Sequence, residues 1–252
     1  MIEYIEHSTL LKKLSICYGL TYFNEPYTVH HVDIIREWQY AQRHFFSTPF
    51  YTLCINLTDP NDTIFAQFTK NTKYEINRAI KQDGIVMKTY DANQYQEIFC
   101  DFFDEFAYTK NLDLIDRNEI SRLVSHNMLT IRVALYKNNL TICHSYITAN
   151  NRARLAQSAS LFRESRENNF RNMLGRANRL LHWDDIQYFK KKGYRLYDFG
   201  GINKDLSNKE TLAINKFKRC FGGTELKEYK SLIPVSIKGL VYLWAKKIWG
   251  KL

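Results

Sequence analysis

The 252-residue sequence predicts an α/β fold, an α+β mixed sheet with helices on its faces. Three observations carry that prediction. Helical and strand-like periodicities alternate from about residue 62 onward. Three strand-like runs, TIRVALY, LTICHSYIT and ARLAQSAS, follow one another over residues 130–160. A long helical pattern and one more strand, RLYDF at 195–199, come next, which suits a mixed sheet better than a sandwich or a bundle.

In order along the chain, LSICYGLTYF and FYTLCINLT read as strands, being rich in β-branched and aromatic residues. Between them Ile34, Ile35, Trp38, Ala41 and Phe45 recur at helical spacing, so residues 1–60 are expected to form a small β-α-β-like lobe or a partial domain. A helix over 62–83 follows, capped by Asp62 or Thr63 and ended at Gly84. Its apolar face is Phe65, Phe68, Ile76, Ala79 and Ile80; Lys70, Lys73, Arg78 and Lys81 line the other side. That basic side is either a solvated face or a phosphate contact. IVMKTY at 85–90 alternates like a strand. Asp91 opens an acidic helix with the stripe Tyr95, Ile98, Phe99, Phe102 and Phe106, and a shorter helix holds Ile120, Leu123 and Val124.

The three meander strands are joined by Lys137-Asn138-Asn139 and Asn150-Asn151-Arg152, and asparagine suits hairpin turns that need positive φ. His144 falls mid-strand and reads as a core or cleft histidine. Met173, Ala177, Leu180 and Leu181 then keep helical spacing up to Gly193. Ser207 and Glu210 form a capping box for a helix with the apolar face Ile214, Phe217 and Phe221. A strand around Leu226–Ile233 precedes a last helix, begun by Pro234. There Ile237, Leu240, Val241, Trp244 and Ile248 make one apolar face among Lys238, Lys246, Lys247 and Lys251, with Tyr242 and Trp249 as interfacial residues. The expected division is 1–60, 61–233 and 234–252.

A net charge of +10 points to an anionic partner: nucleic acid, a phosphate-rich metabolite or a lipid surface. The charge is uneven. Eight acids lie between Asp91 and Glu119, whereas ten lysines and Arg219 follow Gly200 against four acids. The five cysteines are scattered, with no metal-ligand spacing, so no metal is expected and reduced thiols in a cytoplasmic protein fit. No apolar run is long enough to span a bilayer. Lys12-Lys13 before LSICYGLTYF imitates a signal peptide, but Ser15, Tyr18 and Thr21 interrupt its apolar part. The last helix, residues 236–252, is the amphipathic basic kind that lies on anionic membranes, unless it docks on the protein's own sheet.

The chemistry-bearing stretch is Asn168–Gly223. Arg171, Asn172, Gly175, Arg176, Ala177 and Asn178 are expected at a helix entry, where backbone N–H groups and arginines bind phosphate. Asp198 closes a strand before Gly200-Gly201, either as a functional group or as a backbone acceptor for the glycine turn. Thr211, Asn215 and Lys218 share a line beside the apolar face of the next helix, and a lysine there either stabilises an oxyanion or snorkels to solvent.

LGRANRLLHWDDIQYFKKKGYRLYDFGGI, INKFKRCFGG and, more weakly, FTKNTKYEINRAIKQDGI resemble the Fem-type (FemAB-like) branch of the GNAT-related acyltransferases, over roughly 70–83 and 170–223. The resemblance implies a GNAT-like acyltransferase fold with a reduced N-terminal lobe, since two complete halves do not fit in this length. It implies N-acyl transfer, without a covalent enzyme intermediate, from acyl-CoA or aminoacyl-tRNA as co-substrate, with no tightly bound cofactor. The acceptor would be an amine on a sugar or peptide precursor of the cell envelope, such as peptidoglycan or polysaccharide, nucleotide- or lipid-linked, at the inner face of the membrane. By motif, Lys218 with Phe217 and Asp198 would serve the reaction centre, while Arg171, Asn172, Gly175, Arg176, Ala177 and Asn178 would hold the donor. Lys73, Arg78, Trp183, Asn215 and His144 would meet the substrate. Asn172 stands where a CoA-binding loop carries Gln or Arg. Two other readings stand beside this one: a non-catalytic basic module binding RNA or anionic lipid, and an O-acyltransferase with His144 or Asp198 as base.

Overall fold

Strands in this protein form where β-branched and aromatic residues run together, and asparagines close the turns between them. The computed structural model describes residues 1–7, 14–29, 31–160, 168–205 and 207–250. The chain divides into two units, Met1–Thr52 with Glu225–Leu252, and Leu53–Thr224. This differs from the expected division at 60/61 and 233/234. The N-terminal lobe is completed by the C-terminal strand and helix, because strand pairing joins residues far apart in sequence.

In the first unit, β1 (Ile2–His7) pairs antiparallel with β2 (Ser15–Tyr22), β2 pairs parallel with β3 (Ile34–Tyr40), and β3 takes the C-terminal strand antiparallel. Residues 34–40 are therefore a strand and not the expected helix. Ile34 and Ile35 are both buried, so both faces of β3 are covered. Such a strand shows no alternation, and a short apolar run of this kind also matches a helical template. β1 was not foreseen. The core of this unit gathers Ile16, Tyr18, Ile34 and Phe46 under the C-terminal helix. Lys12-Lys13 lie outside the described residues.

The chain passes between the units within β4 (Phe46–Asn56). The expected helix 62–83 is two helices, α1 (Asn61–Ala66) and α2 (Lys70–Gln82). The break falls where the Thr69 side chain accepts the Thr72 N–H as N-cap and the Thr69 N–H bonds the Cys220 carbonyl. Neither Asp62 nor Thr63 caps α1, and Ile80, assigned to the apolar face, is exposed. β5 (Ile85–Tyr90), α3 (Ala92–Lys110, capped by Asp91) and α4 (Arg117–Ser125) follow as expected, except that Ile98 points to solvent.

β6 (Leu129–Tyr136), β7 (Asn139–Ala149) and β8 (Arg152–Ser160) form the predicted meander, with β5 antiparallel to β6 at its edge. Both turns take positive φ, at Lys137 and Asn138 and at Asn150 and Asn151. Alternation along β7 sends Ile142, His144 and Tyr146 to one face and Cys143 to the other. Against the first face lies α5 (Asn168–Lys191), where Met173, Leu174, Ala177 and Leu181 pack on Ala134 and Ile142.

β9 (Leu196–Gly201) runs parallel to β8. α6 (Lys209–Arg219) is capped by Asn208, which accepts the Glu210 and Thr211 N–H groups; Ser207, the expected cap, instead donates its N–H to Asp205. Ile214 is exposed, and the buried residue of α6 is Asn215. β10 (Thr224–Pro234) returns to the first unit and pairs with β3. Pro234 ends that strand, and Ser236 caps α7 (Ile237–Ile248). The face turned inward is Gly239, Tyr242 and Leu243, whereas the predicted apolar face is exposed. Lys251 lies outside the described residues. No helix among the described residues is long and apolar enough to cross a membrane.

Candidate active site

β8 and β9 are joined over only three residue pairs, the last being Arg154 with Asp198. Beyond it β9 reaches Gly200, at φ +74°, where an added Cβ would stand 2.9 Å from the Leu155 carbonyl oxygen. Only glycine fits that turn. Asp198 holds it. Its Oδ1 accepts the Gly200 N–H at 2.7 Å, and its Oδ2 accepts Nε and Nη2 of Arg152 at 2.9 and 2.6 Å. With no exposed surface and both oxygens engaged, Asp198 occupies a structural position at the strand end.

Lys218 reaches this turn from α6, its Nζ donating to the Gly201 carbonyl at 2.7 Å. Burial lowers its pKa to about 8; Arg154 pushes the same way and Asp198 pulls against them. Phe217 packs tilted against His182 and edge-to-face against Phe221, with the Arg179 guanidinium 5.3 Å from its ring centroid.

Two cavities adjoin. The first, about 310 Å³, is lined by Phe106, Ser158, Ser160, Asn178 and Phe217 among others. The second, about 440 Å³, is lined by Arg78, Arg171, Asn172 and Arg176 with Asn71 and Glu75. Gly175 and Arg179 line both. All these side chains belong to the second unit.

The structure thus brings together much of the expected donor set, though not in the expected way. α5 begins at Asn168, so residues 171–178 lie inside the helix, where most backbone N–H groups are already bonded to carbonyls one turn back. The helix entry therefore does not present this motif to an anion; its side chains do. Arg171 and Asn172 are exposed toward the second cavity. Arg176 is largely committed, its Nε and Nη2 donating to Asp83 at 2.7 and 2.8 Å. Ala177 faces the core and lines neither cavity.

The remaining expected contacts are dispersed. Arg78 lines the arginine cavity while its Nε donates to Gln82. Lys73 donates to the Ala66 carbonyl and so ties α2 to α1. Trp183 packs against Phe65 and Phe68 at 5.0 and 5.4 Å, in an aromatic cluster. Asn215 is buried and clamps Asn203 by donating to its carbonyl and accepting its N–H.

His144 is fully buried, Nδ1 at 2.8 Å from Asp185 Oδ2 and Nε2 at 2.9 Å from Asn178 Oδ1. It belongs to a network the sequence reading missed. Arg132 Nε donates to Asp185 Oδ1 at 2.8 Å, and the Tyr146 hydroxyl donates to Asp185 Oδ2 at 2.6 Å. Tyr146 meets Tyr197, which meets His182 Nδ1 at 2.7 Å. Burial holds the His182 pKa well below the imidazole range and both tyrosines well above theirs. His144, His182 and Asp185 offer ligand atoms within 4.8 Å of one another. Asp185 is already paired with Arg132, whose charge opposes a cation, so the trio fits a hydrogen-bond network better than a metal site. The clue in the sequence was the set Asn178, His182 and Asp185, polar residues on the inward line of an otherwise apolar helix face.

No family model matches the sequence, and no curated protein does. Solved structures do match. FemX superposes with a TM-score of 0.59 at 13% identity, over 77% of this chain and 63% of FemX. The C-terminal domain of a protein described as a lysylphosphatidylglycerol synthetase, from Agrobacterium fabrum, gives 0.53 at 11% identity, over 85% of this chain and 72% of that one. A conserved protein of unknown function from Bacteroides thetaiotaomicron gives 0.51 at 11%, over 79% and 69%. The chain spans less than two thirds of the length of FemX. These likenesses are of fold, and the fold is the one expected from the Fem-type resemblance.

Proposed function

We propose that the second unit is an acyltransferase. It moves an activated acyl or aminoacyl group, from acyl-CoA or aminoacyl-tRNA, onto an amine of a cell-envelope or glycan precursor. The observation that carries the reading is Lys218, a half-buried cation at the parting of β8 and β9, next in the chain to Phe217, which lines the first cavity; Arg179 and Gly175 join that cavity to the arginine-rich one. In such a site the acceptor amine attacks the donor carbonyl and its oxygen gains charge. The Lys218 ammonium stabilises that charge where water is scarce. Collapse expels the thiolate of CoA or the ribose alkoxide of tRNA, which takes up the proton the amine loses and leaves as the thiol or hydroxyl. Arg171 and Arg179 offer charge-assisted hydrogen bonds to donor phosphates. The fold shared with FemX supports the same reading.

Two features argue for direct attack on an amine acceptor. Of the cysteines in this unit, Cys54, Cys100 and Cys143 are buried, and burial pushes the Cys100 thiol up to about 11 and Cys143 higher still, which suits no nucleophile; Cys220 alone is partly exposed. A hydroxyl acceptor would need a base, but His144 and Asp198 have no exposed surface and their side-chain polar atoms are already hydrogen-bonded within the protein.

The test is incubation with acyl-CoAs and, separately, charged tRNAs, with sugar- and peptide-amine acceptors, followed by mass spectrometry. Donor consumption that Lys218→Ala abolishes in a folded protein is expected. Near-normal turnover in that variant would refute the role of Lys218. Inertness toward both donors, with salt-sensitive RNA binding, would favour the basic-module reading.

A further inference from the structure

The helix α7 buries one face and leaves the opposite one bare. Gly239, Tyr242 and Leu243 point inward, and the Gly239 α-carbon lies so close to the Asp33 carbonyl that a Cβ there would sit 2.2 Å from its oxygen. That contact fixes which side of the helix faces out. Outward stand Ile237, Val241, Trp244 and Ile248, spaced i, i+4, i+7 and i+11, which is one straight line on a helix. Ile237 is 84% exposed, Val241 60% and Ile248 77%. Trp249 at the C-terminal end of α7 and Phe45 in the loop between β3 and β4, 68% exposed and packed on Trp244, extend the surface with aromatic rings. Among the described residues nothing covers it.

The charges flanking this line are mainly basic, Lys238 being paired with Asp33 at 2.6 Å. α7 contains no acidic residue and carries Lys238, Lys246 and Lys247. Lys247 lies 4.2 Å above the Phe45 ring, and Arg43 is exposed two residues before it. A cavity of about 540 Å³ in the same unit, partly walled by Trp38, Phe45 and Phe46, sets Arg36 and Lys230 beside Lys247, with Glu37 as the acid in its lining.

We propose that this face of the first unit docks on an anionic lipid bilayer surface, with α7 lying in the interface plane. The combination is that of an interfacial helix: an apolar and aromatic line to enter the headgroup boundary, and lysines at its sides to meet acidic lipid. A second copy of this chain suits the face less well. A two-fold contact places the same patch on both sides, setting Lys246, Lys247 and Arg43 against themselves. The proposal goes beyond acyl transfer and does not depend on it.

The test floats the full chain with vesicles of phosphatidylcholine alone and of phosphatidylcholine with phosphatidylglycerol. Flotation with the acidic vesicles is expected, with a blue shift of tryptophan emission and loss in high salt. Lys246→Gln/Lys247→Gln is expected to weaken binding about tenfold or more, since each lysine near an acidic surface contributes about fivefold. Val241→Glu/Ile248→Glu, both exposed in the wild type, is expected to abolish binding while the melting temperature and transfer to a water-soluble amine stay unchanged. Failure of the wild-type chain to float with acidic vesicles would overturn the proposal, as would unimpaired flotation of the glutamate variant. So would a wild-type dimer that the glutamate substitutions split, which would assign the face to a second copy.

Discussion

Lys218 is a lysine held short of its usual charge. The folded form releases its proton near pH 8 instead of 10.5, chiefly because the amine is buried. Since the ammonium is the form that stabilises an oxyanion, kcat with a saturating donor and an amine already deprotonated is expected to fall as pH rises through about 8. An unburied lysine would hold the rate to higher pH. Stability runs the other way. Between about 8 and 10.5 the unfolded chain binds the proton that the folded chain has lost, so stability rises with pH across that window. Lys218→Met is therefore expected to flatten that rise, leave the melting temperature at pH 7 unchanged or higher, and cut transfer by about a hundredfold. At the arginines, Arg171→Ala is expected to raise KM for the phosphate-bearing donor with kcat nearly unchanged. Arg176→Ala is expected to destabilise, since it strands the largely buried Asp83. Motif and charge mark Lys218 and Arg171 in the sequence; in the structure Arg171 lines the arginine cavity, and Lys218 bonds the Gly201 carbonyl at the strand end without lining either cavity. The sequence could not distinguish Arg171 from Arg176, since the partner of Arg176, Asp83, is distant in the chain.

α5 carries most of what the site needs on one helix. Its inward line holds the core residues Leu174, Leu181 and Ile186 and, interleaved with them, Asn178, His182 and Asp185. Asp185 is the hinge of that polar line, pairing with Arg132, His144 and Tyr146. Asp185→Ala is expected to cost about 1–3 kcal/mol in denaturant unfolding, because His144 and Tyr146 lose a buried acceptor while Arg132 keeps only the half-exposed Asp184 as counter-charge. Elements with a clean period were legible: the meander, α3 and α5 follow the pattern read from the sequence. β3 was not, because a strand covered on both faces shows no alternation. The break between α1 and α2 was not either, since Thr69 caps α2 within an otherwise continuous helical pattern. Thr69→Ala is expected to lower stability by about 1 kcal/mol, read as a shift in the denaturation midpoint.

At the scale of the whole molecule, the second unit is one continuous segment and the first is made of two. The expected boundary near residue 60 followed the composition of the chain, whereas the actual grouping follows the pairing of β3 with β10, which no local pattern announces. A chain ending at Thr224 is expected to lose amide-exchange protection in β3, while β6 to β8 keep theirs. Intact protection in β3 would show that β10 is dispensable for the first unit.

The register that sets Ile34 opposite Pro234 also bears on the order in which a ribosome delivers the parts. β1, β2 and β3 emerge early, yet the strand that hydrogen-bonds the far side of β3 is translated only after everything from β5 to α6 has appeared. Through that interval the nascent chain carries a strand edge, rich in isoleucine, with its N–H and C=O groups unpaired, the kind of surface that recruits other chains. Slow elongation, or premature release before residue 224, would prolong that exposure. Yield in the cell would then be limited less by the stability of the finished fold than by how quickly β10 arrives to close it.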